Sequence, residues 1–276
     1  MPDVIHIDDP EDERIADFVG LTDPELRRRR EVSGGEDGGF FVAEGDVVIR
    51  RLLSSSYRIR SFLLTPARLA ALGPELAGVD VPVYVAAQPV IDAIAGFHLH
   101  RGALASADRR PLPEMATVAR SADLLVVTEA VNDHENLGSI FRNAAAFGAD
   151  AVILDPTSSD PLYRRSVRVS GGQVLGIPFA RARAWPGALV ELRSMGFEVL
   201  ALTPGAGATD VRLVERRPRQ ALLLGAEGPG LSAAALNYAD RRVRIPMATG
   251  VDSLNVATAG AVALHHLARP ERLAGD

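Results

Sequence analysis

Residues 241–268 read RRVRIPMATGVDSLNVATAGAVALHHLA. An Arg-rich strand ending at Ile245, Pro246 and Met247 passes through a loop containing Gly250 into an apolar helix of small residues, predicted over 253–268. Ser253 and Asn255 flank Leu254 at the junction. Taken alone, Ser253 is a helix cap, because a hydroxyl oxygen accepts from the orphan N–H groups of a first turn. Asn255 can bond locally to the backbone, and Leu254 points either into the core or at a ligand. A strand feeding a helix through a loop is the repeating unit of an α/β sheet, and the pattern continues upstream. DLLVVTEA, AVILD, EVLALT and RQALLLG read as strands, and NLGSIFRNAAAFG, PLYRRSVRVSGG, ALVELRSMG and SAAALNYA as helices. Continuous apolar strands between amphipathic helices predict a mostly parallel sheet covered on both faces. Ligands of such sheets bind at the carboxyl ends of strands, which singles out the loops after Thr128, Thr203, Gly225 and Met247.

The chain has 276 residues, 47% of them hydrophobic, ample for a packed core, and its length allows one large domain or two ordinary ones. The expected division is an irregular, charged extension over 1–38, a small α/β domain over 39–106, a linker over 107–120 broken by Pro111 and Pro113, and the parallel domain over 121–276. Within the small domain, FFV is a short strand, Asp46 to Ser54 a helix with Val47, Val48, Leu52 and Leu53 on one face, and IRSFLLT a buried strand. Cysteine is absent, which excludes disulfides and thiolate metal sites and fits a cytoplasmic protein. The acidic start MPDVIHIDDPEDERIADF has no apolar segment of a secretory signal, and no apolar run is long enough for a bilayer. The net charge of −5 argues against a wholesale nucleic-acid coat protein. All 30 Lys/Arg positions are Arg, so every basic site is a planar, permanently charged fork suited to phosphate. No GxGxxG follows the first strand of the second half, and no GxxxxGK[ST] occurs, so a dinucleotide site and a P-loop are unsupported.

Three stretches carry chemistry. In NDHENLGSIFRNAAAFGAD, Asn136 lies near a helix start, where capping is the ordinary role. Arg142 sits on a helix otherwise made of Leu137, Ile140, Phe141, Ala144, Ala145 and Phe147, which calls for a dedicated anionic partner or a structural salt bridge. In LLLGAEGPGLS, a buried strand delivers Gly225 and then Glu227 among glycines, either a plain tight turn or a loop whose backbone can approach a ligand. The third is the opening stretch. His265 and His266, late in the last helix, suit its C-terminal dipole better than a metal, and no metal cluster is apparent.

Together these blocks, N-x-G-x-x-x-R-x-A-x-x-F-G (136–148), L-x-G-x-E-x-x-G (223–230) and I-P-M…S-L-N-V-A (245–257), resemble the SpoU (TrmH-like) branch of the SPOUT RNA methyltransferases. Arg168, Ser170 and Gly172 match the family's R-x-S-x-G, and FFVAEGDVVIRRLL resembles the L30e-like RNA-recognition domain that precedes the catalytic domain in many members. His134 and Glu135 depart from the family's D-P-x-N, which leaves loop geometry and substrate fit open, and Asn143 stands where Thr is common. The resemblance implies a C-terminal trefoil knot, S-adenosyl-L-methionine (SAM) as cofactor and a homodimer. It implies catalytic roles for Asn136, Arg142, Glu227, Ser253 and Asn255, and cofactor contacts at Thr203, Gly225, Ile245, Met247 and Leu254. The implied reaction is methyl transfer to a ribose 2′-hydroxyl of RNA, ribosomal RNA ahead of transfer RNA because of the extra N-terminal domain. The alternatives are a tRNA enzyme and a non-catalytic RNA-binding protein of the same fold. Arg50, Arg51, Arg58 and Arg60, with Arg164, Arg165 and Arg168 expected near the catalytic pocket, are the candidate RNA-phosphate contacts, and the run Arg27 to Arg30 is a further basic stretch.

Overall fold

The computed structural model describes residues 3–22, 39–205 and 207–269; the basic run Arg27 to Arg30 lies outside them. Two compact units emerge, Met1–Pro111 with Leu162–Gly176, and Leu112–Pro161 with Ile177–Asp276. In chain order the first unit begins with β1 (Val4–His6), a 3₁₀ turn (Glu13–Phe18), β2 (Phe40–Glu44), α1 (Asp46–Leu53), β3 (Ile59–Leu64), α2 (Pro66–Leu76), β4 (Val83–Val85), α3 (Gln88–Ala95) and β5 (Ala103–Asp108). The second unit follows with α4 (Met115–Ala119), β6 (Leu124–Thr128), α5 (His134–Ala146) and β7 (Ala151–Leu154). The helix α6 (Arg164–Val169) belongs to the first unit. The second then resumes with β8 (Phe179–Arg181), α7 (Gly187–Ser194), β9 (Glu198–Leu202), β10 (Thr209–Asp210), β11 (Gln220–Leu224), α8 (Ala233–Tyr238), β12 (Arg241–Arg244) and α9 (Val256–Leu267).

The first unit is a mixed five-stranded sheet, ordered β1-β4-β3-β5-β2. Here the expected irregular extension is corrected. Val4, Ile5 and His6 pair in parallel with Val83, Tyr84 and Val85, and Ile15 and Phe18 are fully buried. A three-residue strand has too short a pattern to announce itself, and its partner lies about eighty residues away. The linker also shortens, since Ala107 and Asp108 complete β5, which runs antiparallel to both β2 and β3. In α1, Val48, Ile49 and Leu52 face the core while Val47 is exposed, so one of its predicted apolar positions faces solvent.

The boundary at 121–276 is corrected as well, because Leu162–Gly176 packs into the first unit. The cause is a buried carboxylate. Glu44, 4% exposed at the end of β2, receives the guanidinium groups of Arg164 and Arg168, the latter at 3.2 Å. A carboxylate removed from water requires such partners. Arg164 also lies 4.7 Å from the centre of the Phe97 ring, and Arg51 donates to the Gly171 carbonyl. Arg164, Arg165 and Arg168 therefore belong to the first unit rather than to the unit that carries the motif loops.

The second unit is a seven-stranded, wholly parallel sheet, ordered β10-β12-β9-β11-β6-β7-β8. Its strands are apolar because both faces are covered. Leu125, Val127, Ile153, Val199, Ala221 and Leu223 form one core with α4, α7 and α8, and α5 and α9 pack against each other on the other side. The last strand, β12, enters between β9 and β10 rather than at an edge. The carboxyl ends of β6, β9, β11 and β12 thus converge where the three motifs leave the sheet.

Candidate active site

The Leu223–Gly230 stretch sets the floor of the site. After β11 the chain turns at Gly225, and Ala226 pairs with Gly230 in an isolated antiparallel bridge. A Cβ on Gly225 would stand 2.5 Å from both the Gly230 carbonyl carbon and the Leu231 nitrogen, so only glycine lets the loop fold back on itself. Gly228 and Gly230 take left-handed φ values of 82° and 69°, which favour glycine. Both roles proposed for this loop therefore coexist: it is a tight turn, and its backbone lines a cavity.

That cavity has a volume of about 330 Å³. Leu202, Leu224, Ile245, Met247 and Leu254 give it apolar walls, the glycine loop gives it backbone, and Thr203, Glu227, Ser253 and Asn255 give it polar atoms. Every cofactor contact expected from the sequence (Thr203, Gly225, Ile245, Met247, Leu254) lies on this lining.

One side chain ties the three motifs together. Asn255 Nδ2 donates to Asn136 Oδ1 at 2.7 Å and to Glu227 Oε1 at 2.8 Å. Its Oδ1 accepts from the backbone N–H groups of Ala257 and Thr258, at 2.9 and 3.1 Å. Asn255 is therefore the N-cap of α9, and the expectation of a helix from Ser253 is corrected: α9 begins at Val256 and Ser253 stays in the exposed loop. The amide explains why. Its oxygen caps while its nitrogen faces two acceptors, which a serine hydroxyl cannot do at once. Asn136 is 9% exposed and sits in the first turn of α5, where Asp133, not Asn136, is the cap, accepting from Glu135 N and Asn136 N at 2.8 Å. Capping thus leaves the Asn136 side chain free to meet Asn255.

Arg142 is not where an apolar helix suggested. The buried face of α5 is Asn136, Leu137, Gly138, Ile140, Phe141 and Ala144, while Glu135, Arg142 and Ala146 form an exposed stripe. Among the described residues the Arg142 guanidinium makes no ion pair, so the structural salt bridge is not found there and the side chain is exposed. Asn143, by contrast, donates to the Ala257 carbonyl at 2.8 Å and helps hold α5 to α9. Ser170 of the R-x-S-x-G match is fully buried in the first unit and donates to the Val167 carbonyl, a turn-forming role.

The other candidate arginines are mostly committed. Arg50 pairs with Glu75 at 2.6 Å, and Arg60 with Asp17 at 2.8 Å and Asp108 at 3.1 Å. The hydrogen bonds that both guanidinium groups donate to these carboxylates raise their affinity for their protons. Arg58 remains 84% exposed beside Asp108.

Two networks escaped sequence reading. Asp155, 2% exposed after β7, accepts from Ala130 N, Ser158 N and the hydroxyls of Thr157 and Ser158. Burial alone would raise its pKa, but these donors outweigh it and hold the carboxyl below its ordinary 3.8. Arg181 donates to the carbonyls of Asp155, Ser158 and Ser159, and burial lowers its pKa. Glu129, 7% exposed after β6, accepts from Trp185 and Ser232. The signal for both was an acid interrupting an apolar strand end, VVTEAV and VILDPT. Among the described residues no group of three or more His, Asp or Glu is arranged to hold a metal ion, and no helix is long and apolar enough to cross a membrane.

Residues 123–265, the stretch that builds this site, match the SpoU rRNA Methylase family. The chain belongs to that family. It is 47% identical to an "uncharacterized tRNA/rRNA methyltransferase" of Mycobacterium tuberculosis, over 97% of this chain and 92% of the relative. The AdoMet-bound rRNA methyltransferase of Sinorhizobium meliloti is 26% identical, covers 96% of this chain and 97% of its own, and superposes with a TM-score of 0.78. An RNA 2′-O ribose methyltransferase is likewise 26% identical, covering 95% and 98%, with a TM-score of 0.76. The family match leaves out residues 1–122, yet these likenesses run across nearly the whole chain.

Proposed function

We propose that the chain transfers a methyl group from SAM to a ribose 2′-hydroxyl of RNA. The observation that carries this reading is the hydrogen-bonded chain Asn136–Asn255–Glu227, which joins three separate motifs beside the cavity at the carboxyl edge of a parallel sheet. Support also comes from the AdoMet-bound and 2′-O ribose enzymes that the chain resembles over nearly its whole length.

The cavity suits SAM. Its volume lies within the range of small-molecule pockets, and apolar walls at Leu202, Ile245 and Leu254 with a glycine backbone rim match a flat adenine ring. Thr203, Glu227 and Ser253 offer partners for the polar remainder. When bound, SAM supplies a methyl group on a positively charged sulfur, open to in-line attack by the ribose oxygen.

The protein's own part is positioning and charge. Asn255 holds Glu227 in one orientation by donating to its Oε1, leaving Oε2 available to take the 2′-hydroxyl proton directly or through water. Arg142 holds the phosphate next to the reacting ribose and stabilises the oxygen as it gains negative charge. Its exposure and lack of an internal ion pair among the described residues fit an anion supplied by the substrate. A guanidinium is a poor general base, so proton removal falls to Glu227 or to His134, half-buried at the first turn of α5. Ser253, exposed on the lining, contacts the ribose or the cofactor.

The same reading includes a trefoil knot at the C-terminal end, supported by the insertion of β12 between β9 and β10 before α9 returns against α5. It includes a homodimer and an L30e-like RNA-binding role for the first unit, in which Arg58 is the most open of the candidate contacts. Ribosomal RNA is the favoured substrate because a separate unit accompanies the family domain. Mapping 2′-O-methylated positions in ribosomal and transfer RNA from cells with and without the gene tests this. One site lost from ribosomal RNA is expected; a site lost from transfer RNA moves the substrate, and no change in either overturns the reading.

A further inference from the structure

We infer that Glu129 is a positioning residue that sets the shape of the cofactor cavity through Ser232; this rests on the SAM reading above. The Gly225–Leu231 loop supplies Gly225, Glu227, Gly228 and Gly230 to the cavity, and one residue outside the loop straps both of its ends. At the near end, the Glu129 N–H donates to the carbonyl of Leu224, the last residue of β11, at 2.8 Å. At the far end, the Glu129 carboxylate accepts from Ser232 N at 2.8 Å and from Ser232 Oγ at 2.7 Å. Ser232 in turn caps α8 by accepting from Ala235 N at 3.1 Å. A third donor, Trp185 Nε1, reaches Glu129 Oε1 at 2.6 Å.

Glu129 is itself fixed. Directly after it the chain turns through Ala130, whose φ is 54°, and the Ala130 N–H is held by Asp155 Oδ1 at 3.0 Å. The strap therefore joins the loop bearing Glu227 to the segment that leads into α5 and Asn136. Only a carboxylate satisfies this site. A glutamine has one acceptor oxygen, so whichever way it flips, its NH₂ group faces either Ser232 N–H or the Trp185 N–H. A buried donor is then left unpaired, and the loop end must move to relieve it.

The test compares the full-length chain with Glu129→Gln, Trp185→Phe and Ser232→Ala, by calorimetric titration of SAM and by tryptophan emission. Trp185 is the only tryptophan in the sequence, so its emission reports on this strap alone. Glu129→Gln is expected to weaken SAM about tenfold, while affinity for RNA stays within about twofold of the original, because the strap acts on the cofactor loop. Trp185→Phe keeps both bonds to Ser232 and should bind SAM within about twofold of the original. In the unaltered chain SAM shifts Trp185 emission, and in Glu129→Gln that shift is lost. Should Glu129→Gln fail to fold, Ser232→Ala, which removes one arm, must weaken SAM about threefold or more. A folded Glu129→Gln that melts at lower temperature yet binds SAM with unchanged affinity overturns the inference, as does Ser232→Ala binding normally. Failure of the unaltered chain to bind SAM removes the cofactor reading and this inference with it.

Discussion

Asn255→Asp separates the two jobs that the structure assigns to one side chain. Asp and Asn are about equal as helix caps, and a negative charge at the start of α9 is favoured by the helix dipole. The bonds to Ala257 N and Thr258 N therefore persist, and the change in helix stability is close to zero. The other half of the amide fares differently. Nδ2 becomes an oxygen facing Asn136 Oδ1, now 2.7 Å away, and the Glu227 carboxylate, now 2.8 Å away. A neutral hydrogen bond contributes about 1 kcal/mol and one to a carboxylate about 2 kcal/mol, so about 3 kcal/mol of positioning is lost. If that energy is expressed in the transition state, the rate falls about two hundredfold. Single-turnover methyl transfer to RNA measures the rate, and thermal unfolding of the same preparation measures stability. The two lost bonds also bear on folding, so at a few degrees per kcal/mol for a chain of this size the melting temperature should fall by up to about 10 °C, and by less than in Asn255→Ala, which gives up the cap besides. Asn255→Ala, in contrast, loses cap and bridge together. An Asn255→Asp protein with the original rate, or one whose rate and stability fall in step with Asn255→Ala, would refute the division of roles.

Three further outcomes are expected. Arg142→Ala abolishes transfer while calorimetry finds SAM affinity within about twofold of the original, because the guanidinium lies off the cavity lining; equal loss of both contradicts its assignment to the RNA. Gly225→Ala places a Cβ 2.5 Å from the Gly230–Leu231 backbone, so chemical denaturation should show about 3 kcal/mol of lost stability, and SAM binding should disappear with the loop. Asp155→Asn removes a carboxylate whose folded pKa is depressed. The stability from that depression is complete above the ordinary value of 3.8 and fades as pH falls below it, through the lower folded value. The gap in urea midpoint between the original and Asp155→Asn should therefore narrow as pH drops below about 3.8, and a gap independent of pH there would contradict this.

The parallel half of the fold was legible in the sequence because its strands are buried on both faces and read as unbroken apolar runs. Aliphatic runs such as those of Leu124–Thr128 and Gln220–Leu224 announce themselves without knowledge of their neighbours. The strands that went unread are short or made of small residues: Val4–His6, Ala103–Asp108, Phe179–Arg181 and Thr209–Asp210. Each exists because of a partner distant in sequence, and periodicity carries no trace of pairing. The transfer of Leu162–Gly176 to the first unit was illegible for the same reason, since Glu44 and Arg168 lie 124 residues apart. At the candidate site the residue types and their order pointed to the loops that line the cavity, but not to how each side chain is bonded there. That Asn255 rather than Ser253 caps α9, and that Arg142 faces solvent, depend on where the helices begin and how they are turned. Glu129 and Asp155 could be noticed as acids at apolar strand ends, but their partners could not.

The proposed reaction is defined by the atom that receives the methyl group. Incubating the purified chain with unmodified cellular RNA and methyl-labelled SAM, digesting to nucleosides and resolving them by mass spectrometry identifies that atom. Label is expected in a single 2′-O-methylated nucleoside, and none with Arg142→Ala. Label on a base, or SAM bound without transfer to any RNA, would contradict the proposed reaction.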